Sequence, residues 1–200
     1  RDGESPGDGS LTSKENILED LKILSNNFRF IRLYGSGKQA RNILEVIQEN
    51  KLPLKVMQGI WLDGRESFEN NMKQVDGGIE LARDFRDIIF AVNVGNEILV
   101  DWSVHRFDDV PTVLPFVDKV RSAIAQPVTV SDDYNFWNKP ESHLLADHVD
   151  FICLHAYAFW NNQTIKNAIN WTQFIYKQIS IEHPKHQIAF CESGWPTNRI

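Results

Sequence analysis

Six short apolar runs alternate along the chain with segments in which apolar residues recur at helical spacing. Nearly continuous apolar runs are typical of strands that are buried on both faces, as in a parallel sheet covered by helices. Strict alternation of such strands with helices therefore predicts an α/β fold. The predicted strands end near Tyr34, Trp61, Glu97, Ser131, Tyr157 and Glu192.

The helical segments carry recognisable start signals. Thr12 and Glu15 stand three residues apart, as in a capping box, and predict the start of the first helix. Pro111 is predicted at the first position of a later helix, where proline is well tolerated. Another helix, starting near Ser67, carries apolar residues in steps of four and three: Phe68, Met72, Val75, Ile79 and Ala82.

Two architectures fit this alternation: an open doubly wound sheet and an eight-stranded barrel. An open sheet gathers its functional residues at one switch point, whereas a barrel gathers them from many strands at its C-terminal face. Polar and aromatic residues fall at or just past the ends of all six predicted strands, which favours a (β/α)8 TIM barrel. These residues are Tyr34, Trp61, Asp63, Asn96, Glu97, Asp132, Asp133, Tyr134, His155, Tyr157, Glu192 and Trp195.

A complete barrel of this kind has eight strands and takes about 250 residues. The chain has 200 residues and, by the pattern above, six strands. We therefore expect residues 1–200 to form a single barrel domain that is incomplete at both ends, without the first strand and the last strand–helix unit. Such a barrel would leave the edges of its sheet unpaired.

Composition and charge narrow the possible functions. A net charge of −6 and a pI near 5.5 provide no basic face for nucleic acid. No apolar run reaches the roughly 20 residues of a membrane span. No histidines or cysteines show metal-ligand spacing and no phosphate loop is complete, so neither a metal nor a cofactor is expected. Cys153 and Cys191 each lie within an apolar run, and their simplest interpretation is two buried free thiols.

Two glutamates stand at the ends of predicted strands. Glu97 follows Asn96 at the end of one apolar run, and Glu192 ends another run just before Trp195. One such residue could equally be a structural ion-pair partner, but two at the same barrel face indicate paired-carboxylate chemistry. Glycoside hydrolysis uses such a pair, because a protonated carboxyl donates to the leaving oxygen while an ionised one attacks or stabilises the sugar cation.

Carbohydrate sites also need flat aromatic rings for the faces of sugars. Trp171 falls in a predicted helix and is expected to pack internally. His155, near a strand end, is expected to hydrogen-bond within the site. Four tryptophans fall in predicted loops at the functional face: Trp61, Trp137, Trp160 and Trp195.

The stretches Val94–Glu97, Glu192–Thr197 and Ile31–Tyr34 resemble signature stretches of glycoside hydrolase family 17, the β-1,3-glucanases and their relatives. The resemblance runs from about Arg1 to Thr197 and is closer to bacterial or fungal members than to the long plant type. It implies a (β/α)8 barrel and a retaining mechanism that uses no metal.

The resemblance also implies roles for individual residues. Glu97 would be the acid/base and Glu192 the nucleophile. Asn96 would bind the 2-hydroxyl of the reacting sugar, and Tyr34 would hydrogen-bond near the nucleophile. The other residues expected to contact substrate at this face are Tyr134, Tyr157, Trp160 and Trp195.

The expected function is therefore the retaining, endo-acting hydrolysis of a β-1,3-glucan such as laminarin. One alternative is a β-glucanosyltransferase on the same scaffold, and another is a catalytically inactive barrel that only binds glucan. A third is a non-carbohydrate α/β protein, which would lack an aromatic-lined groove between the two glutamates. The expected partner is a β-glucan polysaccharide or oligosaccharide bound by a monomer. Because polymeric glucans lie outside most cells, an extracellular, periplasmic or cell-surface location is expected.

Overall fold

The computed structural model describes residues 11–197, in which strands and helices alternate as the sequence pattern predicts. The strands are β1 (Phe30–Arg32), β2 (Lys55–Ile60), β3 (Ile89–Asn96), β4 (Val128–Asp133), β5 (Ile152–His155) and β6 (Ile188–Glu192). The helices are α1 (Lys14–Ser25), α2 (Lys38–Glu49), α3 (Phe68–Asp84), α4 (Val110–Ala123), α5 (Tyr134–Trp137), α6 (Ser142–Ala146) and α7 (Ala168–Glu182), with a 3-10 turn at Phe159–Asn161.

Each strand pairs in parallel with the next strand along the chain, from β1 to β6. A doubly wound sheet would reverse its strand order, so this unbroken order matches a barrel. The sheet also curls, so that its first and last strands come together. Arg32 on β1 donates a hydrogen bond from Nη1 to Oε1 of Glu192 on β6 over 2.9 Å. The barrel-type architecture predicted from the sequence is confirmed.

Local chemistry sets the helix starts. The hydroxyl of Ser13 accepts the backbone N–H of Asn16, so Ser13 caps α1 and the prediction of Thr12 as the cap is wrong by one residue. Asp109 caps α4, and Pro111 is the second residue of that helix, one place later than predicted. Both caps satisfy backbone donors that a helix start leaves unpaired.

The apolar core lies between the sheet and the helices outside it. Each large apolar side chain buried there contributes roughly 1.5–3 kcal/mol relative to an exposed one. This layer fixes the strands whose ends carry the polar residues. Fully buried members of the core include Leu44, Ile47, Val75, Leu81, Val113, Phe116, Val117 and Val120.

Within residues 11–197, no helix combines the length and the apolar character that a membrane crossing needs.

Trp137 belongs to this core, so the prediction that it lies at the functional face is wrong. Asp133 accepts the backbone N–H of Asn135 and starts the short helix α5 directly after β4. Trp137 ends that helix and is fully buried, with its ring edge-on to Phe136 at 5.2 Å. Trp171, in α7, is half-buried and packs internally as predicted.

Cys153 on β5 and Cys191 on β6 form a disulfide, so their interpretation as free thiols is wrong. Their Cα atoms lie 5.4 Å apart, a separation at which a disulfide can form. The pairing of the two strands shifts register between Leu154 and His155, and Cys191 lies at that shift. The bridge therefore joins the two strands directly beside the residues at their C-terminal ends.

Candidate active site

The C-terminal ends of the strands surround a cavity of about 570 Å³. Glu97, after β3, and Glu192, at the end of β6, both line it. Two exposed tryptophans, Trp102 and Trp160, form aromatic parts of its wall. A groove of this volume with a few convergent polar groups is typical of a small-molecule site. Its other lining residues are Asp133, Asn135, Tyr157 and Asn161.

The carboxylate of Glu192 accepts hydrogen bonds from three side chains. Arg32 Nη1 and the Tyr34 hydroxyl each donate to Oε1 over 2.9 Å, and the Tyr157 hydroxyl donates to Oε2 over 2.9 Å. Burial, reinforced by the charge of Glu192, raises the pKa of both tyrosine hydroxyls. The two phenols therefore keep their protons and remain donors, and the three donors together favour a negative charge on Glu192.

Glu97 is positioned by an unusual backbone. Its φ angle is +53° and that of Gly95 is +87°, both in the left-handed region. Such a conformation in a glutamate costs of order 1–3 kcal/mol and persists where surrounding contacts hold it. Here the N–H of Glu97 donates to the carbonyl oxygen of Ser131 over 2.8 Å, and the Asn93 amide donates to the carbonyl oxygen of Gly95 over 2.8 Å.

His155 connects the two glutamates from a fully buried position on β5. Arg32 Nη1 lies 3.2 Å from His155 Nε2. A guanidinium nitrogen can only donate, so Nε2 is the acceptor and the ring proton is assigned to Nδ1. Nδ1 then donates to Glu97 Oε1 over 3.1 Å. The prediction that His155 hydrogen-bonds within the site is confirmed.

The two carboxylates are close to one another. One oxygen of Glu97, one oxygen of Glu192 and a ring nitrogen of His155 all lie within 4.8 Å of each other. Retaining glycosidases hold their carboxyl groups about 5–5.5 Å apart, and inverting ones about 6.5–9.5 Å apart. The nearest oxygens of Glu97 and Glu192 are thus closer together than the inverting separation.

The same three residues are the one group within residues 11–197 whose ligand atoms are close enough to hold a metal ion. Glu192 Oε1 and His155 Nε2 already receive hydrogen bonds from the guanidinium of Arg32, which brings a positive charge to the same place. A cation at this position would have to compete with that guanidinium.

Two aspartates at the end of β4 support the wall of the cavity. Asp132 is fully buried, and its carboxylate accepts the backbone N–H groups of Leu99 and Asp133, each over 2.8 Å. Burial raises the pKa of Asp132 to about 8 and also raises that of Asp133. The bond to Leu99 anchors the loop that follows Glu97 and carries Trp102.

The predicted substrate-binding residues occupy two different layers. Tyr157 and Trp160 line the cavity. Asn96 accepts a hydrogen bond from Arg32 at its Oδ1. Tyr134 and Trp195 lie behind the lining residues: the Tyr134 hydroxyl donates to Asn161, while the Trp195 ring packs against Phe159 at 5.3 Å. Their roles toward a substrate, like those of Tyr34 and both glutamates, stay predictions.

Several residues of the site were not predicted from the sequence. Arg32 lies within the stretch Ile31–Tyr34, and a charged residue in an otherwise apolar strand was an available signal. Trp102 follows Glu97 by five residues in the same loop, and this closeness in sequence could have predicted it at the site. The remaining unpredicted cavity residues are Asn135 and Asn161.

Comparison with known proteins places this geometry in context. A family model described as the BtgE/BtgC glycoside hydrolase domain matches residues 4–199. A probable glucan endo-1,3-beta-glucosidase (btgC) of Aspergillus flavus is 26% identical over 197 residues, covering 92% of this chain and 28% of the relative. A glucan 1,3-beta-glucosidase of Arthroderma benhamiae is 24% identical, covering 96% of this chain and 63% of the relative. The chain thus spans 28% of the length of the Aspergillus relative.

Solved structures share the fold. An endo-laminarinase from Formosa superimposes with a TM-score of 0.77 at 23% identity, covering 92% of this chain and 62% of the other. A glycoside hydrolase family 17 β-1,3-glucanosyltransferase from Rhizomucor miehei gives a TM-score of 0.77 at 22% identity, covering 94% and 68%. The barrel-type fold therefore recurs in proteins much longer than the part of the chain that aligns with them.

Proposed function

The chain belongs to the BtgE/BtgC glycoside hydrolase domain family, and from that premise we propose that it cleaves β-1,3-glucan by a retaining, two-glutamate mechanism. This agrees with the resemblance to family 17 noted in the sequence, and the curated relatives named above are fungal. In the proposed reaction Glu192 is the nucleophile and Glu97 the acid/base.

One observation carries the proposal: the two carboxylates are close together but have unlike surroundings. Glu192 accepts hydrogen bonds from Arg32, Tyr34 and Tyr157. Glu97 has a contact from the neutral His155 at Oε1, which leaves its Oε2 to carry a transferable proton. A nucleophile needs a stable negative charge, whereas an acid/base must gain and lose a proton in each cycle.

In the first step Glu192 attacks the anomeric carbon of the sugar. The bond from that carbon to the glycosidic oxygen breaks, and Glu97 gives its proton to the departing oxygen. The product is a glycosyl ester on Glu192 and an ionised Glu97. We assign Asn96, whose Oδ1 is engaged by Arg32, to hold the 2-hydroxyl of the sugar through its amide N–H.

In the second step Glu97 takes a proton from water, and the water oxygen attacks the anomeric carbon. The ester bond breaks, and its electron pair returns to Glu192 as a carboxylate. Two inversions at one carbon leave the configuration unchanged. We assign Trp102 and Trp160, which both line the cavity, to support sugar rings of the substrate.

A glucanosyltransferase is the second candidate, because a sugar hydroxyl can replace water in the second step. The aromatic cavity offers room for such an acceptor beside Asn135 and Asn161. The lengths of the products from a defined oligosaccharide separate the two reactions. Products longer than the substrate indicate transfer, and products that are all shorter indicate hydrolysis in endo or exo mode.

Location and assembly are part of the proposal. The disulfide between Cys153 and Cys191 supports an oxidising compartment, in keeping with a protein that acts outside the cell, in a periplasm or at a cell surface. The groups assigned to both steps come from one chain, so we propose that a monomer carries out the reaction on a β-glucan polysaccharide or oligosaccharide.

The deciding experiment measures hydrolysis of laminarin by Glu97→Gln and Glu192→Gln. Each change should lower kcat by at least about 10³-fold, because each removes a group that acts in the transition state. Glu69→Gln, which alters an exposed glutamate on α3, is the matched control and should retain full activity. Turnover close to wild type in either active-site variant would rule out the assignment.

A further inference from the structure

A second cleft opens at the C-terminal ends of the strands beside Trp61, and no step of the proposed reaction uses it. Its volume is about 360 Å³, and it lies between the loop after β2 and the first turns of α3. Trp61 is the first residue after β2, forms one wall and is 38% exposed. The α3 side carries Asn70, Lys73 and Gln74.

The wall of this cleft combines a flat aromatic ring with amide groups. The indole of Trp61 is supported by the ring of His105, with ring centroids 4.8 Å apart and planes 33° apart. Asn70 and Gln74 each carry two N–H donors and an oxygen with two lone pairs, and hydrogen bonds within the protein take only some of these, so both amides can still bond neutral hydroxyl groups. An apolar face framed by hydrogen-bonding groups is the pattern that suits a sugar ring, which has an apolar face and an equatorial rim of hydroxyls.

Three charged residues line the cleft, and each is hydrogen-bonded within the protein. Asp63 accepts hydrogen bonds from Nε and Nη2 of Arg65 over 2.9 and 2.6 Å, and this contact lowers the pKa of Asp63. Glu66 accepts a hydrogen bond from the Asn70 amide over 3.0 Å. Neither acid belongs to the group of potential metal ligands found within residues 11–197. Lys73 donates to Asn70 Oδ1 over 3.1 Å. With Arg65 beside Asp63, two acids and two bases meet at the cleft, and this balance of charge suits a neutral polar ligand.

The cleft is also preformed. Asn71 is almost fully buried, and its side chain bonds the backbone N–H and the carbonyl of Asp63, both over 2.9 Å. Gly64 donates its N–H to the carbonyl of His105 over 2.9 Å, and a Cβ at Gly64 would lie only 2.2 Å from the carbonyl oxygen of Arg106. A site held in its binding shape loses less entropy when a ligand arrives.

The same framework connects the cleft to the catalytic strand. His105, which supports the Trp61 ring, places Nε2 2.8 Å from the carbonyl oxygen of Asn96, and a carbonyl can only accept. The peptide that joins Asn96 to Glu97 is thus held by the residue behind Trp61. In strand order the cleft lies after β2, whereas the loops after β3, β4, β5 and β6 enclose the larger cavity, so Glu97 stands between the two.

We infer that the Trp61 cleft binds glucosyl units of the same β-glucan chain whose reacting bond lies at Glu97 and Glu192. This inference rests on the proposed function, and it adds a remote site that only longer substrates reach. Binding energy from such a site favours long chains over short ones, because interactions remote from the reacting bond contribute to transition-state binding. The cleft would therefore give the enzyme a preference for substrate length.

The test compares kcat/KM on laminarihexaose with kcat/KM on laminaritriose for the wild type and for variants of the cleft. In Trp61→Ala the ratio of the two values should fall about tenfold, and in Asn70→Ala about threefold. Trp61→Phe keeps a flat ring and should restore most of the ratio. Trp102→Ala, in the larger cavity, is the matched control and should lower both values together.

Two results would overturn the inference. An unchanged ratio in Trp61→Ala would mean that the cleft holds no sugar. An equal fall on both substrates would mean that Trp61 acts through His105 on the catalytic strand instead.

Calorimetry with laminarihexaose on Glu192→Gln, with and without Trp61→Ala, separates this inference from the proposed function. A wild type that cleaves no glucan but whose Glu192→Gln form binds the hexasaccharide through Trp61 would refute the reaction and retain the cleft. Hydrolysis without any dependence of length preference or affinity on Trp61 would retain the reaction and refute the cleft.

Discussion

Three donors from other parts of the barrel converge on the carboxylate of Glu192, whereas Glu97 is positioned chiefly through its own backbone. Arg32, Tyr34 and Tyr157 hold both oxygens of Glu192. At Glu97 the peptide is fixed from several sides and the backbone is left-handed, while His155 supplies a single contact to the carboxylate.

This difference shows how two glutamates at the same face of a barrel can be suited to different roles in one reaction. Donors that surround a carboxylate favour its charged form and fix its direction, which suits a nucleophile. A group that must pass a proton in both directions is served better by a fixed backbone and few strong donors. The comparison can be broken by removing the side-chain support of Glu192 or the backbone support of Glu97.

Among the tests of this comparison, the largest effect is expected from Arg32→Ala. Arg32 is the charged donor to Glu192 and also bonds Asn96 and His155, so its loss should lower kcat on laminarin about 10²–10³-fold. Arg32→Lys keeps the positive charge but cannot make the forked contacts of a guanidinium. Its kcat should therefore lie between that of the wild type and that of Arg32→Ala. Arg29→Ala, an exposed arginine just before β1, is the matched control. A loss below threefold in Arg32→Ala would refute the importance of side-chain support at Glu192.

The second prediction concerns the backbone at Glu97. Gly95→Ala places a Cβ on a residue with φ +87° and only 2.4 Å from Cδ1 of Ile98. We expect the free energy of unfolding, measured in urea, to fall by about 2–3 kcal/mol. At Gly35 no atom lies within 4 Å of an added Cβ, so Gly35→Ala is the control and should change stability much less. Equal effects in the two variants would contradict a special backbone at this point.

The third prediction concerns how the free energy of unfolding depends on pH through Asp132, which anchors the loop after Glu97. Burial raises the pKa of Asp132 from 3.8 to about 8, so between these values the folded state holds a proton that the unfolded state has released. The free energy of unfolding should therefore fall as pH rises through this window, by at most about 1.4 kcal/mol per pH unit. The contribution is fully present below the unfolded pKa and is lost above the folded one.

Asp132→Asn removes this titration, so the difference in unfolding free energy between wild type and variant should change steadily from pH 4 to pH 8. Asp147→Asn, which alters an exposed aspartate at the end of α6, should preserve the wild-type slope. Urea unfolding at several pH values measures both. A difference between wild type and Asp132→Asn that is independent of pH would show that Asp132 does not titrate on folding.

The strand order and the barrel face were predictable because both follow from local patterns. Nearly continuous apolar runs predicted the strands, and the parallel alternation brought every strand end to one side. Glu97 and Glu192 could therefore be paired although 94 residues of sequence lie between them. The resemblance to family 17 added expected roles for individual residues, which the pattern of apolar residues alone does not predict.

The features that the sequence did not predict depend on the curvature of the sheet, on the register of its strands and on a local helix cap. Arg32 acts from the opposite edge of the sheet, and only the curvature of the barrel brings it to Glu192. The disulfide needed the register of β5 against β6, because Cys153 and Cys191 are 38 residues apart and either could have faced another partner. Trp137 was misplaced because a cap at Asp133 starts a helix where a loop was expected.

The smallest effect should separate the two tyrosines that support Glu192. Tyr34 shares Oε1 with Arg32, whereas Oε2 has no donor other than Tyr157 among residues 11–197. Tyr157→Phe should therefore lower kcat on laminarin about tenfold and Tyr34→Phe about threefold. Both hydroxyls stay protonated at neutral pH, because burial raises their pKa, so neither change should move the pH optimum. The reverse order of effects would mean that Oε1, and not Oε2, depends on its tyrosine for support.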